Sequence, residues 1–178
     1  MSSTLFGTIR DGGARPPELS TSVHPNLGKR MAEECDAEGE VSNITAVAKQ
    51  FFEACETGKG WEGCQAYCIP SASFSSQAEP LADIRTLQGY ADWMKGLLSF
   101  MPEGSYVVKS FATDDDRKSV CAYGVFSATH TGQGGPCPPT GKSTTTDYVY
   151  VMDFDGDKIR HMTKIWNAGW AMKELGWA

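Results

Sequence analysis

A chain of 178 residues with 40% hydrophobic and 21% charged content lies in the ordinary globular range, long enough for one domain with a real core. A net charge of −6, from 16 basic against 22 acidic residues, and the lack of any Lys/Arg cluster exclude a phosphate-backbone binder, so no nucleic-acid partner is expected. No run approaches about 18 apolar residues and the start lacks the charged, apolar, small-residue order of a secretory signal, so no membrane partner and a cytoplasmic location are expected.

From Met1 to about residue 41 the chain is rich in Gly, Ser, Pro and charge, with Gly12-Gly13 and Pro16-Pro17 but no sustained apolar period. It reads as an arm outside the core, either disordered or wrapped on a partner through Leu5, Phe6, Ile9 and Leu27. The domain proper runs over residues 42–178. Ser42 or Asn43 caps a first helix, in which Ile44, Val47, Ala48, Phe51, Phe52 and Cys55 recur at helical spacing before Gly58 stops it. Trp61 to Tyr67 reads as a short second helix and Ser73-Phe74-Ser75 as a short strand. Thr86 or Gln88 opens a third helix with Leu87, Tyr90, Trp93, Met94, Leu97, Leu98 and Met101 on one side, stopped by Pro102 and Gly104. Its Met and Trp residues suit a lid and core.

From Tyr106 the period changes to two: Tyr106 to Val108, Val120 to His130, Thr144 to Phe154 and Ile159 to Asn167 are strands. Asp155-Gly156-Asp157 makes a tight hairpin, whereas a Gly/Pro-rich loop from Thr131 to Gly141 joins two longer strands. Helices followed by an antiparallel meander define an α+β domain with helices laid against one face of a curled sheet. The six cysteines, in a large chain without an export signal, are expected as free thiols. Cys64 and Cys68 sit four apart, but His24, His130 and His161 show no zinc-ligand spacing to them, so no metal is expected.

The order His130-Thr131-Gly132, Pro138-Pro139-Thr140-Gly141-Lys142, Asp155-Gly156-Asp157-Lys158-Ile159 and Glu174-Leu175-Gly176 resembles the nuclear transport factor 2-like superfamily, and within it the SnoaL-like polyketide cyclase branch related to ketosteroid isomerase. The resemblance spans roughly Ile44 to Gly176. It implies a cone-shaped α+β barrel with an apolar pocket for a small-molecule ligand, no cofactor, and often a homodimer through the sheet. Superfamily members isomerise, dehydrate, cyclise or hydrate small apolar molecules, and others only bind, so fold alone does not settle activity. In the cyclase branch the last strand usually ends in an aspartate that looks like the general acid/base. The matching position here is Asn167, whose amide can donate to a carbonyl oxygen but cannot exchange a proton at neutral pH. Loss of a positioned acid/base typically costs about 10²–10⁴ in rate.

On the last strand Ile159, His161, Thr163, Ile165 and Asn167 share one face and Arg160, Met162, Lys164 and Trp166 the other. The charges place the second face towards water or a subunit interface and the first into the cone. His161 is then a pocket acid or base, or a hydrogen-bonded structural residue. His130 closes the face made by Val120, Ala122, Gly124, Phe126 and Ala128, as a pocket residue or a loop anchor. Asp147 is either the orienter of a histidine or a solvent-facing carboxylate. Tyr148 and Tyr150 either pack or donate to an oxyanion. The catalytic expectation is therefore His161 or His130 as base, Asn167 as oxyanion donor and Asp147 as orienter, with Phe126, Tyr148, Thr163, Ile165 and Trp93 against the substrate. The chemistry expected is proton transfer beside a carbonyl, in a lyase, isomerase or cyclase. The alternative is a non-catalytic ligand-binding or dimeric assembly module with a plugged cone.

Overall fold

A computed structural model describes residues 43–178; the expectations placed on residues 1–42, the arm, Ser42 as a cap, His24 and Cys35 among them, lie outside the described residues. Helix α1 (Asn43–Glu56) buries Ile44, Ala48, Phe51, Phe52 and Cys55, the stripe its spacing predicts. Each such aliphatic or aromatic side chain contributes about 1.5–3 kcal/mol by leaving water, which outweighs the helix's own propensity. Gly58 ends the helix, donating its N–H to the Cys55 carbonyl at 3.0 Å. Helix α2 (Gly60–Cys64) runs into a single 3₁₀ turn and then strand β1 (Cys68–Ser76). This strand is longer than its sequence suggests, and Pro70, which cannot donate to a ladder, is accommodated where the pairing of β1 breaks between Cys68 and Ser73. Helix α3 (Leu87–Phe100) starts at Thr86, whose side chain accepts the Gly89 N–H at 3.1 Å, and buries Leu87, Tyr90, Ala91 and Met94.

Strands β2 (Ser105–Asp114), β3 (Ser119–Thr129), β4 (Ser143–Asp155) and β5 (Lys158–Trp166) form an antiparallel meander, and β1 joins β5 in parallel to give the order β1-β5-β4-β3-β2. The α+β architecture is the one expected. A last helix, α4 (Ala168–Leu175), was not foreseen; Asn167 caps its start and Gly176, in the left-handed region at φ 71°, ends it. Even-numbered residues of β3 and β4, from Val120 to Ala128 and from Thr144 to Phe154, turn inward against α1 and α3. Among the described residues no helix is long and apolar enough to cross a membrane.

The inward phase of β5 differs from the expected one. Phe154 pairs with Ile159 but Asp153 pairs with His161, so Arg160 is an extra residue bulged out of the ladder. Ile159 points to the core and, past the bulge, so do Met162 and Lys164. A one-residue slip exchanges the two faces of a strand. His161, Thr163 and Ile165 therefore stand on the outer side of the sheet.

Candidate active site

Between the inward face of the sheet, α3 and α4 lies a cavity of ≈ 50 Å³. Its walls are largely apolar: Trp93, Met94 and Leu97 from α3, Phe126 from β3, and Met172, Leu175 and Trp177 at the closing end. Three polar side chains stand out on this wall: Glu56, Tyr148 and Lys164. Glu56 is the last residue of α1, and it is buried there because the apolar stripe of that helix continues through Phe52 and Cys55 into the core. Lys164 arrives through the β5 bulge. Tyr148 stands directly across the sheet from Gly124, where a Cβ would come within 2.8 Å of the phenol ring, so the absence of a side chain at position 124 gives the ring its place.

A buried chain of hydrogen bonds connects two of these groups. The Tyr150 hydroxyl donates to Glu56. A phenol has one proton, so the 2.5 Å contact between the Tyr90 and Tyr150 hydroxyls is donated by Tyr90. The 2.7 Å contact from Lys164 Nζ to the Tyr90 oxygen completes the order Lys164, Tyr90, Tyr150, Glu56, with every donor pointing towards the carboxyl. Five aromatic rings surround Lys164 Nζ, at 4.9 Å (Tyr148), 5.2 Å (Tyr90 and Trp166), 5.4 Å (Tyr150) and 6.0 Å (Trp93). The Tyr148 hydroxyl is buried without a hydrogen-bond partner.

Burial sets the protonation of this group. Desolvation pushes the Glu56 carboxyl above its usual range, and the Lys164 charge and the Tyr150 hydroxyl only partly oppose that. Desolvation pulls the Lys164 amine below its ordinary value, with the nearby Glu56 charge opposing. Tyr90, Tyr150 and Tyr148 are all raised, first by burial and then by neighbouring negative charge, so they stay neutral donors. The arrangement can pass a proton from Lys164 to Glu56 through two phenols and leave an uncharged amine beside an apolar hollow.

The residues proposed from sequence are dispersed. His161 is not in the cavity: it lies on the outer sheet face, its Nδ1 2.7 Å from Ser73 Oγ and its Nε2 3.2 and 3.1 Å from Ser75 Oγ and Thr163 Oγ1. Thr163 shares that outer cluster, and Ile165 is 60% exposed; the bulge at Arg160 removed both from the wall. Asn167 accepts the Trp170 N–H at 3.2 Å as the cap of α4 and is exposed. Asp147 is exposed on the outer face and accepts the Tyr123 hydroxyl at 2.9 Å. His130 is fully buried as a loop anchor, its Nδ1 accepting the Trp177 indole N–H at 3.0 Å and the Thr140 N–H at 3.3 Å. Phe126, Tyr148 and Trp93 do lie on the cavity wall.

The motifs that carry the resemblance fasten α4 over the cavity. Thr140 Oγ1 donates to the Leu175 carbonyl at 2.8 Å, Glu174 accepts from Thr144 Oγ1 at 2.6 Å and from the Thr145 N–H at 3.1 Å, and His130 holds Trp177. Sequence reasoning missed Glu56, Tyr90 and Lys164. A carboxylate in the last turn of a helix, where the backbone dipole disfavours negative charge, is a signal for Glu56. For Lys164 the signal is that Ile159 and Met162 can both enter the core only if a bulge separates them.

A curled five-stranded sheet wrapped on helices, with an apolar cavity holding a few buried polar groups, is the nuclear transport factor 2-like architecture. The sequence profile of the SnoaL-like polyketide cyclase family matches residues 45–175, and the chain belongs to that family. Solved structures of the same fold include IdmH of Streptomyces antibioticus, at 16% identity and a TM-score of 0.61, covering 75% of this chain and 98% of that one. A SnoaL-like protein of Jannaschia sp. CCS1 gives 12% identity and a TM-score of 0.63, covering 75% and 91%. TsrD of Streptomyces laurentii gives 12% identity and 0.62, covering 77% and 97%. No curated protein sequence matches.

Proposed function

We propose that this SnoaL-like domain takes a small, largely apolar carbonyl compound into the cavity and catalyses proton transfer next to the carbonyl, of the kind that drives cyclisation, isomerisation or dehydration. The observation that carries this reading is the convergence of Lys164, Glu56 and the unpartnered Tyr148 hydroxyl on one apolar hollow. Lys164, relieved of its proton through Tyr90 and Tyr150, acts as the base; Tyr148 donates to the enolate oxygen that forms; protonated Glu56 stores the proton for return. This takes the place of the acid/base that the family resemblance implies at position 167, which here caps α4 outside the cavity.

The test is deuterium uptake at the carbons beside the carbonyl of cyclohexanone and β-tetralone in D₂O, followed by NMR. Wild-type protein is expected to accelerate exchange, Lys164→Met to lose about 10²–10⁴ of that acceleration, as removal of a positioned base does, and His161→Ala to keep it. Exchange unaffected by Lys164→Met would overturn the assignment.

One observation favours a second reading. A cavity of ≈ 50 Å³ is small beside the roughly 300–1,000 Å³ usual for ligand pockets, which suits a plugged, non-catalytic module. That reading predicts no exchange and no heat of binding with either ketone. On both readings we infer a homodimer through the outer sheet face, supported by the exposed Val107, Tyr123 and Ile165.

A further inference from the structure

We propose that Lys164 acts as a covalent catalyst, forming an imine with an aldehyde or unhindered ketone held in the cavity. The inference rests on the proton-transfer reading above and deepens it by naming the intermediate and the substrate class. Its basis is a match between what the site supplies and what each nitrogen species demands. An ammonium presents three N–H donors, and among the described residues the protein offers Lys164 Nζ a single acceptor, the Tyr90 oxygen at 2.7 Å. No carboxylate among the described residues forms an ion pair with it. An iminium presents one N–H and one positive charge. The site supplies one acceptor for the former and, for the latter, five aromatic faces within 4.9–6.0 Å of the nitrogen.

The hydrogen-bond chain supplies the remaining requirement. Attack needs the free amine, and the ordered donors from Lys164 through Tyr90 and Tyr150 to Glu56 give its proton a place to go inside the protein. The lone pair of Nζ then bonds to the carbonyl carbon, the C=O pair moves to oxygen, and one N–H proton follows it to give the carbinolamine. Breaking the C–O bond expels hydroxide, which takes the Glu56 proton and leaves as water. What remains is the iminium, with its N–H directed to Tyr90, and the Glu56 carboxylate. A proton on the adjacent carbon is now acidic, since its electron pair can be drawn to the iminium nitrogen to form an enamine, with the carboxylate as acceptor. Readdition of water reverses the sequence. No oxidant, reductant or metal enters the balance.

The experiment is reductive trapping of the full chain with cyclohexanone and sodium cyanoborohydride, with adducts located by peptide mapping. The reducing agent delivers hydride to the iminium carbon and fixes a cyclohexyl group on the amine. Lys164 is expected to be labelled ahead of the exposed lysines, saturably in ketone, with its label lost in Lys164→Arg while labelling of the exposed lysines is unchanged. The wild-type measurement needs no variant to fold. Labelling of exposed lysines alone, with deuterium exchange at the ketone persisting, would overturn the imine and leave Lys164 as a simple base. Neither label nor exchange would overturn both readings.

Discussion

Two ionisable residues, Glu56 and Lys164, are buried among tyrosines, and their titration can be checked without a substrate. The folded pKa of Glu56 lies above the unfolded value of about 4.3, so between the two the folded protein binds more protons than the unfolded one. Stability contributed by the neutral acid is complete below about 4.3 and is lost as pH rises through the folded pKa. Glu56→Gln keeps a carbonyl acceptor for Tyr150 and has no proton to lose. Urea denaturation should therefore show the variant gaining on wild type as pH is raised from about 4, with the gap levelling above the folded pKa. A gap independent of pH would mean that Glu56 titrates normally. At position 167, Asn167→Asp restores the carboxylate that the family resemblance would place there, yet the side chain caps a helix outside the cavity. Ketone exchange should be unchanged in Asn167→Asp. Asn167→Ala should lose about 1 kcal/mol in denaturant melts through the missing cap.

At the scale of elements, the site depends on how β3 and β5 present their residues. Gly124→Ala would drive a methyl group into the Tyr148 ring and move its hydroxyl. The expected result is a folded protein, destabilised by about 1–3 kcal/mol, whose ketone exchange falls by about 10² because an oxyanion donor is displaced; retained exchange would remove Tyr148 from the mechanism. Much of the fold was legible for a physical reason: α1, α3, β3 and β4 carry unbroken periods, and each buried side chain repeats the same vote. The site was less legible. Phe126, Tyr148 and Trp93 belong to those regular elements and were placed on the cavity wall. His161, Thr163, Ile165 and Asn167 were assigned by extending a period of two through Arg160, where the strand carries an extra residue. Charge misleads further, because a lysine at position 164 marks, by its sequence alone, the wet side of the strand. A lysine can be buried when a tyrosine accepts its proton and rings surround its head, a circumstance that depends on Tyr90 and Trp93 from a helix some 70 residues earlier in the chain.

For the molecule as a whole, the outer sheet face is where association is to be sought. It bears Ser and Thr pairs such as Ser127 with Thr145, and beside them the exposed Val107, Tyr123 and Ile165. Replacing Val107 and Ile165 together by Lys should halve the mass seen by sedimentation while leaving ketone exchange intact, since neither residue touches the cavity; an unchanged mass would place the contact elsewhere. The parallel union of β1 with β5 has a different reach. Ser73 and His161 are hydrogen-bonded neighbours 88 positions apart in the chain, so during synthesis the edge bearing Phe74 waits, unzipped, until the final hairpin emerges from the ribosome. The strand that carries Lys164 is the one that ends this wait. Closure of this last seam and burial of the Lys164 amine are thus one event, late relative to the helices.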